Sequence, residues 1–93
     1  MSILIAKEYY ITTFSSTHRA LAAEKVLETN GIDFLLIPLP IGISASCGLG
    51  VKYFENDYMV IQELFSKEEL VFQGNYYCKK EDGKLHISLN KEA

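Results

Sequence analysis

The feature that most restricts the fold is a change of hydrophobic period at Ser15. Upstream, Tyr9-Tyr10-Ile11-Thr12-Thr13-Phe14 is a run of aromatic and β-branched residues, which suits a pleated strand. Downstream, Ala20, Ala23, Val26 and Leu27 recur at helical spacing among the helix formers Leu21, Ala22, Glu24, Lys25 and Glu28. The hydroxyls Ser15-Ser16-Thr17 between the two runs suit an N-cap, and Asn30-Gly31 suits a left-handed stop. A helix from Thr17 to about Thr29 is therefore predicted. Its alanines let it lie close to a sheet.

The rest of the chain repeats the alternation. Asp33 to Ile37 is apolar almost throughout and reads as a central strand covered on at least one face, ended by Pro38 and Pro40. Ile41 to Cys47 reads as an irregular loop, and Gly48 to Phe54 as a third strand. Asp57 is placed to cap a second helix with the stripe Val60, Ile61, Leu64 and Phe65, ending near Ser66 with a loose turn over Lys67-Glu68-Glu69. Val71 to Cys78 reads as a strand with a bulge at Gly74. Asp82-Gly83 is a hairpin signal, and Leu85 to Leu89 alternates as a half-buried strand does. The lead-in Ser2 to Ala6 is a further strand or an ordered segment.

This order predicts an α+β fold: a ferredoxin-like split βαββαβ sandwich, one antiparallel sheet with two helices on one face, plus a C-terminal hairpin strand. The other face of such a sheet is often covered by a partner subunit, so a homodimer is an expectation. At 93 residues there is room for one domain, with a core over 8–78 and a hairpin extension over 79–93.

Composition excludes several functions. The net charge of −3 argues against nucleic-acid binding, which needs a basic stripe. The one basic pair, Lys79-Lys80, runs straight into Glu81-Asp82 and reads as a solvated hairpin tip. No apolar stretch approaches the ~18 residues of a membrane span, and Ser2 to Ala6 lacks the parts of a signal peptide. A cytoplasmic protein is expected, with its two cysteines as thiols and neither a metal nor a cofactor.

The chemistry-bearing stretch is Ser44-Ala45-Ser46-Cys47-Gly48-Leu49. A nucleophilic cysteine works as its thiolate and benefits from nearby N–H and O–H donors. Gly48 permits close approach and a concave backbone, and Ser44 and Ser46 offer hydroxyls. The loop before the third strand and the start of the first helix are expected at one sheet end. Ser16 and Thr17 at the helix start, and His18 and Arg19 in its first turn, would then lie near the sulfur. Bland readings stand beside these. Cys47 could be a small buried hydrophobe. Ser15, Ser16 and Thr17 could be caps alone, and His18 and Arg19 solvated. Cys78, between Tyr77 and Lys79, reads as structural; a resolving role would need the two thiols within disulfide reach. Ser16 with His18 lacks an acid partner and a nucleophile elbow, so a hydrolase reading is weak.

Thr13-Phe14-Ser15-Ser16-Thr17-His18, Ala20-Leu21, Glu24-Lys25, Gly31-Ile32, Leu36-Ile37-Pro38, Pro40 and Ile43-Ser44-Ala45-Ser46-Cys47-Gly48-Leu49 resemble the selenium/sulfur carrier protein-like family of small bacterial proteins. The resemblance runs from Tyr9 to Asp57, and its most specific part is the Ser-x-Ser-Cys-Gly-Leu stretch. It implies a carrier that holds sulfur or selenium on Cys47 as a persulfide or selenosulfide. A cysteine desulfurase or selenide source would load it, and an acceptor protein would receive the atom. The protein would be at most a sulfurtransferase-like subunit. The rival expectation is a non-catalytic module whose Ser44 to Gly48 loop binds an anion or a protein, with an incidental thiol.

Overall fold

A computed structural model describes residues 2–90, which form one antiparallel five-stranded sheet and two helices. The end of the expected hairpin extension, residues 91–93, lies outside the described residues. The elements run β1 (Glu8–Thr13), α1 (Thr17–Thr29), β2 (Phe34–Pro38), β3 (Leu49–Phe54), α2 (Tyr58–Lys67), β4 (Gly74–Glu81) and β5 (Lys84–Asn90). Across the sheet the order is β2-β3-β1-β4-β5. The α+β class and the two helices on one face are as the sequence predicts.

Helix α1 has the predicted bounds because both ends are chemically defined. The Ser16 hydroxyl accepts the Arg19 N–H at 3.2 Å. At the far end Gly31 takes φ +68°, with Gly31 N–H donating to Glu28 O (3.1 Å) and Ile32 N–H to Leu27 O (3.0 Å). Helix α2 closes with the same motif: Glu69 N–H donates to Ser66 O (3.1 Å) and Leu70 N–H to Phe65 O (2.8 Å). What reads as a loose turn is thus a closed cap, built on a glutamate held at φ +54°. The expected Asp57 side-chain cap does not form, because a 3-10 turn over Glu55–Asp57 feeds the chain into α2.

Between sheet and helices, Phe14, Ala20, Ala23, Leu27, Val51, Tyr53, Ile61 and Phe65 are completely buried. A polar network lies beneath α2. Thr12 donates to Asn75 Oδ1 (2.6 Å) and shares a hydrogen bond with the Tyr53 hydroxyl (2.8 Å). Gln62 reaches both Tyr53 and Asn75. Burying these groups costs little only because they satisfy one another.

The opposite face has its own cluster of Ile3, Ala6, Tyr9, Ile11, Ile43 and Cys78. Two segments of the same chain supply Ile3, Ala6 and Ile43. The lead-in is ordered but is a 3-10 turn over Ile3–Ile5 rather than a strand, and Ile43 folds back from the β2–β3 loop. The cover expected from a partner subunit therefore comes in part from within. Strand β2 is an edge strand, not a central one. Its unbroken apolar run has another origin: Phe34 and Leu36 pack on the helix side, while Leu35 and Ile37 pack under the lead-in and loop. Gly74 opens β4 opposite Thr13 in regular register, without the expected bulge.

Candidate functional site at the end of β1

Strands β2 and β3 form a hairpin whose long loop, residues 39–48, sits at the sheet end where β1 leaves for α1. Leu39 N–H donates to Gly48 O at 3.0 Å, which continues the ladder one step past Pro38. The loop then makes two turns. One is closed by Ile43 N–H to Pro40 O (3.2 Å), the other by Gly48 N–H to Ala45 O (3.2 Å). Gly48 stands at φ +71°, a conformation in which a β-carbon is strained. The next glycine is needed for space: a β-carbon at Gly50 would lie 2.8 Å from both Ile11 Cγ2 and Leu39 Cδ2.

Within this short stretch the chain reaches both faces of the sheet. Ile43 enters the cluster on the open face, and Cys47, four residues on, packs against the cluster on the helix face. Cys47 is half-buried. Its thiol has two acceptors, Phe14 O at 3.3 Å and Leu49 O at 3.4 Å, and the sulfur accepts the Leu49 N–H at 3.4 Å. The expected convergence is present, since Phe14 is the residue through which β1 hands over to α1. The partners differ in part from the expected ones. They are two carbonyls and one amide of Phe14 and Leu49: of the expected N–H and O–H donors, the Leu49 amide meets the sulfur, and the Ser44 and Ser46 hydroxyls are not among its partners.

The remaining candidate residues surround this centre unevenly. Ser44, Ser46 and Gly48 are exposed along the loop, and Thr17 and His18 are exposed in the first turn of α1. Ser16 spends its hydroxyl as the α1 cap. Ser46 bonds through its backbone, N–H to Gln73 Oε1 at 3.4 Å. Gln73 in turn is fixed by its own N–H to Thr13 O (2.7 Å), so it ties the loop to the end of β1. No periodicity or motif marked Gln73. Only the sheet register, which puts Gly74 opposite Thr13, brings it here.

Four loop amides, those of Leu39, Ile43, Ser46 and Gly48, and the Leu49 amide at the start of β3 are already engaged within the protein. That weakens the anion-cradle reading, which needs several amides pointing outward together.

The second thiol lies elsewhere. Cys78 is fully buried on the open face, in the other cluster. Burial pushes its thiol up to about 11, against a smaller opposing pull from the Lys52 ammonium. Lys52 is itself nearly buried. Its Nζ stands 4.2 Å from the Tyr9 ring centre and donates to Leu4 O at 3.4 Å. Burial first, then Lys80, lowers the Lys52 ammonium. The two cysteines thus belong to cores on opposite faces, and both are free thiols.

Fold and site together define a small α+β protein with one half-buried thiol at a loop-to-strand junction and a second thiol sealed in the core. The chain belongs to the Se/S carrier family: the profile described as "Putative Se/S carrier protein-like" matches residues 9–77. The match extends beyond Asp57 to take in α2 and the first half of β4, and it stops before β5. No curated protein and no solved structure matches the chain. Among the described residues, no helix is long and apolar enough to cross a membrane, and no group of three or more His, Cys, Asp or Glu side chains is placed to hold a metal ion.

Proposed function

We propose that this protein carries sulfur or selenium on Cys47 and passes it to an acceptor. The observation that carries the reading is the contrast in burial within a chain of this family: Cys47 is half-buried at a loop, and Cys78 is fully buried. The thiolate of Cys47 attacks the terminal sulfur of a donor persulfide, such as that of a cysteine desulfurase. The donor S–S bond breaks, the donor thiolate leaves, and the Cys47 proton goes to solvent. A thiolate on the acceptor then attacks the outer sulfur and returns Cys47 to the thiolate. Neither step changes the overall oxidation level, so no external oxidant or reductant is needed. Selenium follows the same path through a selenosulfide.

In this reading Gly48 keeps the approach open, and Ser44, Ser46, Thr17 and His18 line the rim that a partner meets. Ser16 holds the helix start in place. Cys78 takes no part as a resolving thiol. The strand order β2-β3-β1-β4, with both helices on one face, supports the ferredoxin-like class, with a core over 8–78 and β5 as an addition. The proposed setting is the cytoplasm.

The test is to incubate the protein with a cysteine desulfurase and cysteine and to weigh it intact. A sulfur-sized increment on the natural chain, absent from Cys47→Ser, is the expected result. An unchanged mass, or an increment that survives in Cys47→Ser, contradicts it.

A further inference from the structure

The sheet has two edges, and they are protected differently. Strand β2 is short, ends at Pro38 and is followed by Pro40, residues that block a further ladder. Strand β5 has none of these devices. It runs seven residues from Lys84 to Asn90 and pairs with β4 in unbroken register from Glu81↔Lys84 to Asn75↔Asn90. It contains no proline, no glycine and, besides His86, one basic residue at its start. Among the described residues no strand pairs with its outer edge.

Its side chains also leave apolar surface open. Leu85, Ile87 and Leu89 lie opposite Lys80, Cys78 and Tyr76, and so share the face of the sheet that carries the Cys78 cluster. Leu85 is 39% and Leu89 51% exposed.

We propose that β5 is a homodimer interface, on which β5 of a second copy pairs antiparallel about a two-fold axis at Ile87. Ile87 is the midpoint of the strand, so this register pairs its full length. Leu85 falls opposite Leu89 of the second copy, Ile87 opposite Ile87, and His86 opposite Ser88. Lys84 falls opposite Asn90, so no two like charges meet. The strand is therefore complementary to itself in charge and apolarity, as an isologous contact requires. The two sheets become one, and the exposed leucines cover each other. The family match ends at Tyr77, so β5 lies outside the matched residues.

Sedimentation equilibrium of the full chain, up to about 1 mM, tests the proposal with two double variants whose circular dichroism confirms folding. The natural chain is expected at twice its 10.5 kDa mass. L85K/L89K places lysine against lysine at both cross-strand pairs and is expected to be monomeric. L85E/L89K places glutamate against lysine at the same pairs and is expected to restore the dimer. A natural chain that stays monomeric leaves the edge to some other protein and overturns the proposal. So does a dimer that persists in L85K/L89K. A folded L85E/L89K that remains monomeric overturns the two-fold register.

Discussion

Cys47 and Cys78 are the same residue type on opposite faces of one sheet, and almost everything around them differs. Cys78 sits mid-strand, where β4 alternates into a closed apolar cluster, and burial keeps its proton on. Cys47 sits where two turns bring a loop across the sheet end, and the hydrogen-bond partners of its sulfur are backbone groups rather than side chains. A strand position fixes a side chain's face by parity and seals it under whatever covers that face. A loop position is set by turn geometry, and it can stay both ordered and reachable. The difference between a fully buried and a half-buried thiol is here a difference of backbone setting.

The largest expected effect breaks the symmetry between the thiols outright. Cys47→Ser abolishes sulfur loading, whereas Cys78→Ala keeps it, as intact mass after desulfurase treatment will report. Equal loading of both variants would erase the distinction.

Alkaline stability sharpens it from the other side. Burial pushes the Cys78 thiol up to about 11 in the folded chain from its ordinary 9.0 in the unfolded one, so between these values the unfolded chain releases a proton that the native chain retains. Stability present below about pH 9 is then lost as pH rises, by up to about 3 kcal/mol at the top of that window. Cys78→Ala should reduce the loss between about pH 9 and 10 in denaturant titrations, below the range where the raised Tyr9, Tyr53 and Tyr77 hydroxyls add losses of the same sign, and Cys47→Ala should leave it in place.

Serine substitution gives a smaller contrast. Cys78→Ser buries a hydroxyl within an apolar cluster and is expected to cost about 1–3 kcal/mol in urea melts. Cys47→Ser can use the same carbonyls and the Leu49 N–H, so its cost should stay below about 1 kcal/mol. The smallest effect concerns the loop tie. Gln73→Ala removes the acceptor for Ser46 N–H, and Cys47 alkylation should speed up by roughly fivefold, the equivalent of about 1 kcal/mol. Cys78 alkylation should not change.

Much of the scaffold is legible in the sequence, because local chemistry and tertiary structure agree there. Helix α1 is bracketed by Ser16 and Gly31, and the Asp82-Gly83 turn takes positive φ at both residues, as a two-residue hairpin demands. The failures at β2 and Gln73 share one cause: they depend on where strands sit relative to each other. An apolar run cannot distinguish a central strand from an edge strand covered on both faces, and β2 is the latter. Glu69 in a left-handed cap carries no composition signal. At the site the sequence marks Cys47 and the junction with α1. The sulfur's partners are carbonyls and an amide, which every residue has, so no residue type announces them. Gln73 reaches Ser46 only through the register of β4 on β1.

The central claim is that the native fold leaves Cys47 open to reagents and partners and closes off Cys78. Peptide-mapped alkylation of the folded protein at pH 8 reads this directly. Cys47 is predicted to react at least about a hundredfold faster, since Cys78 reacts only through rare openings, and the two rates should converge in denaturant. Rates that are equally slow in the folded protein, and that rise together only on unfolding, would contradict the account.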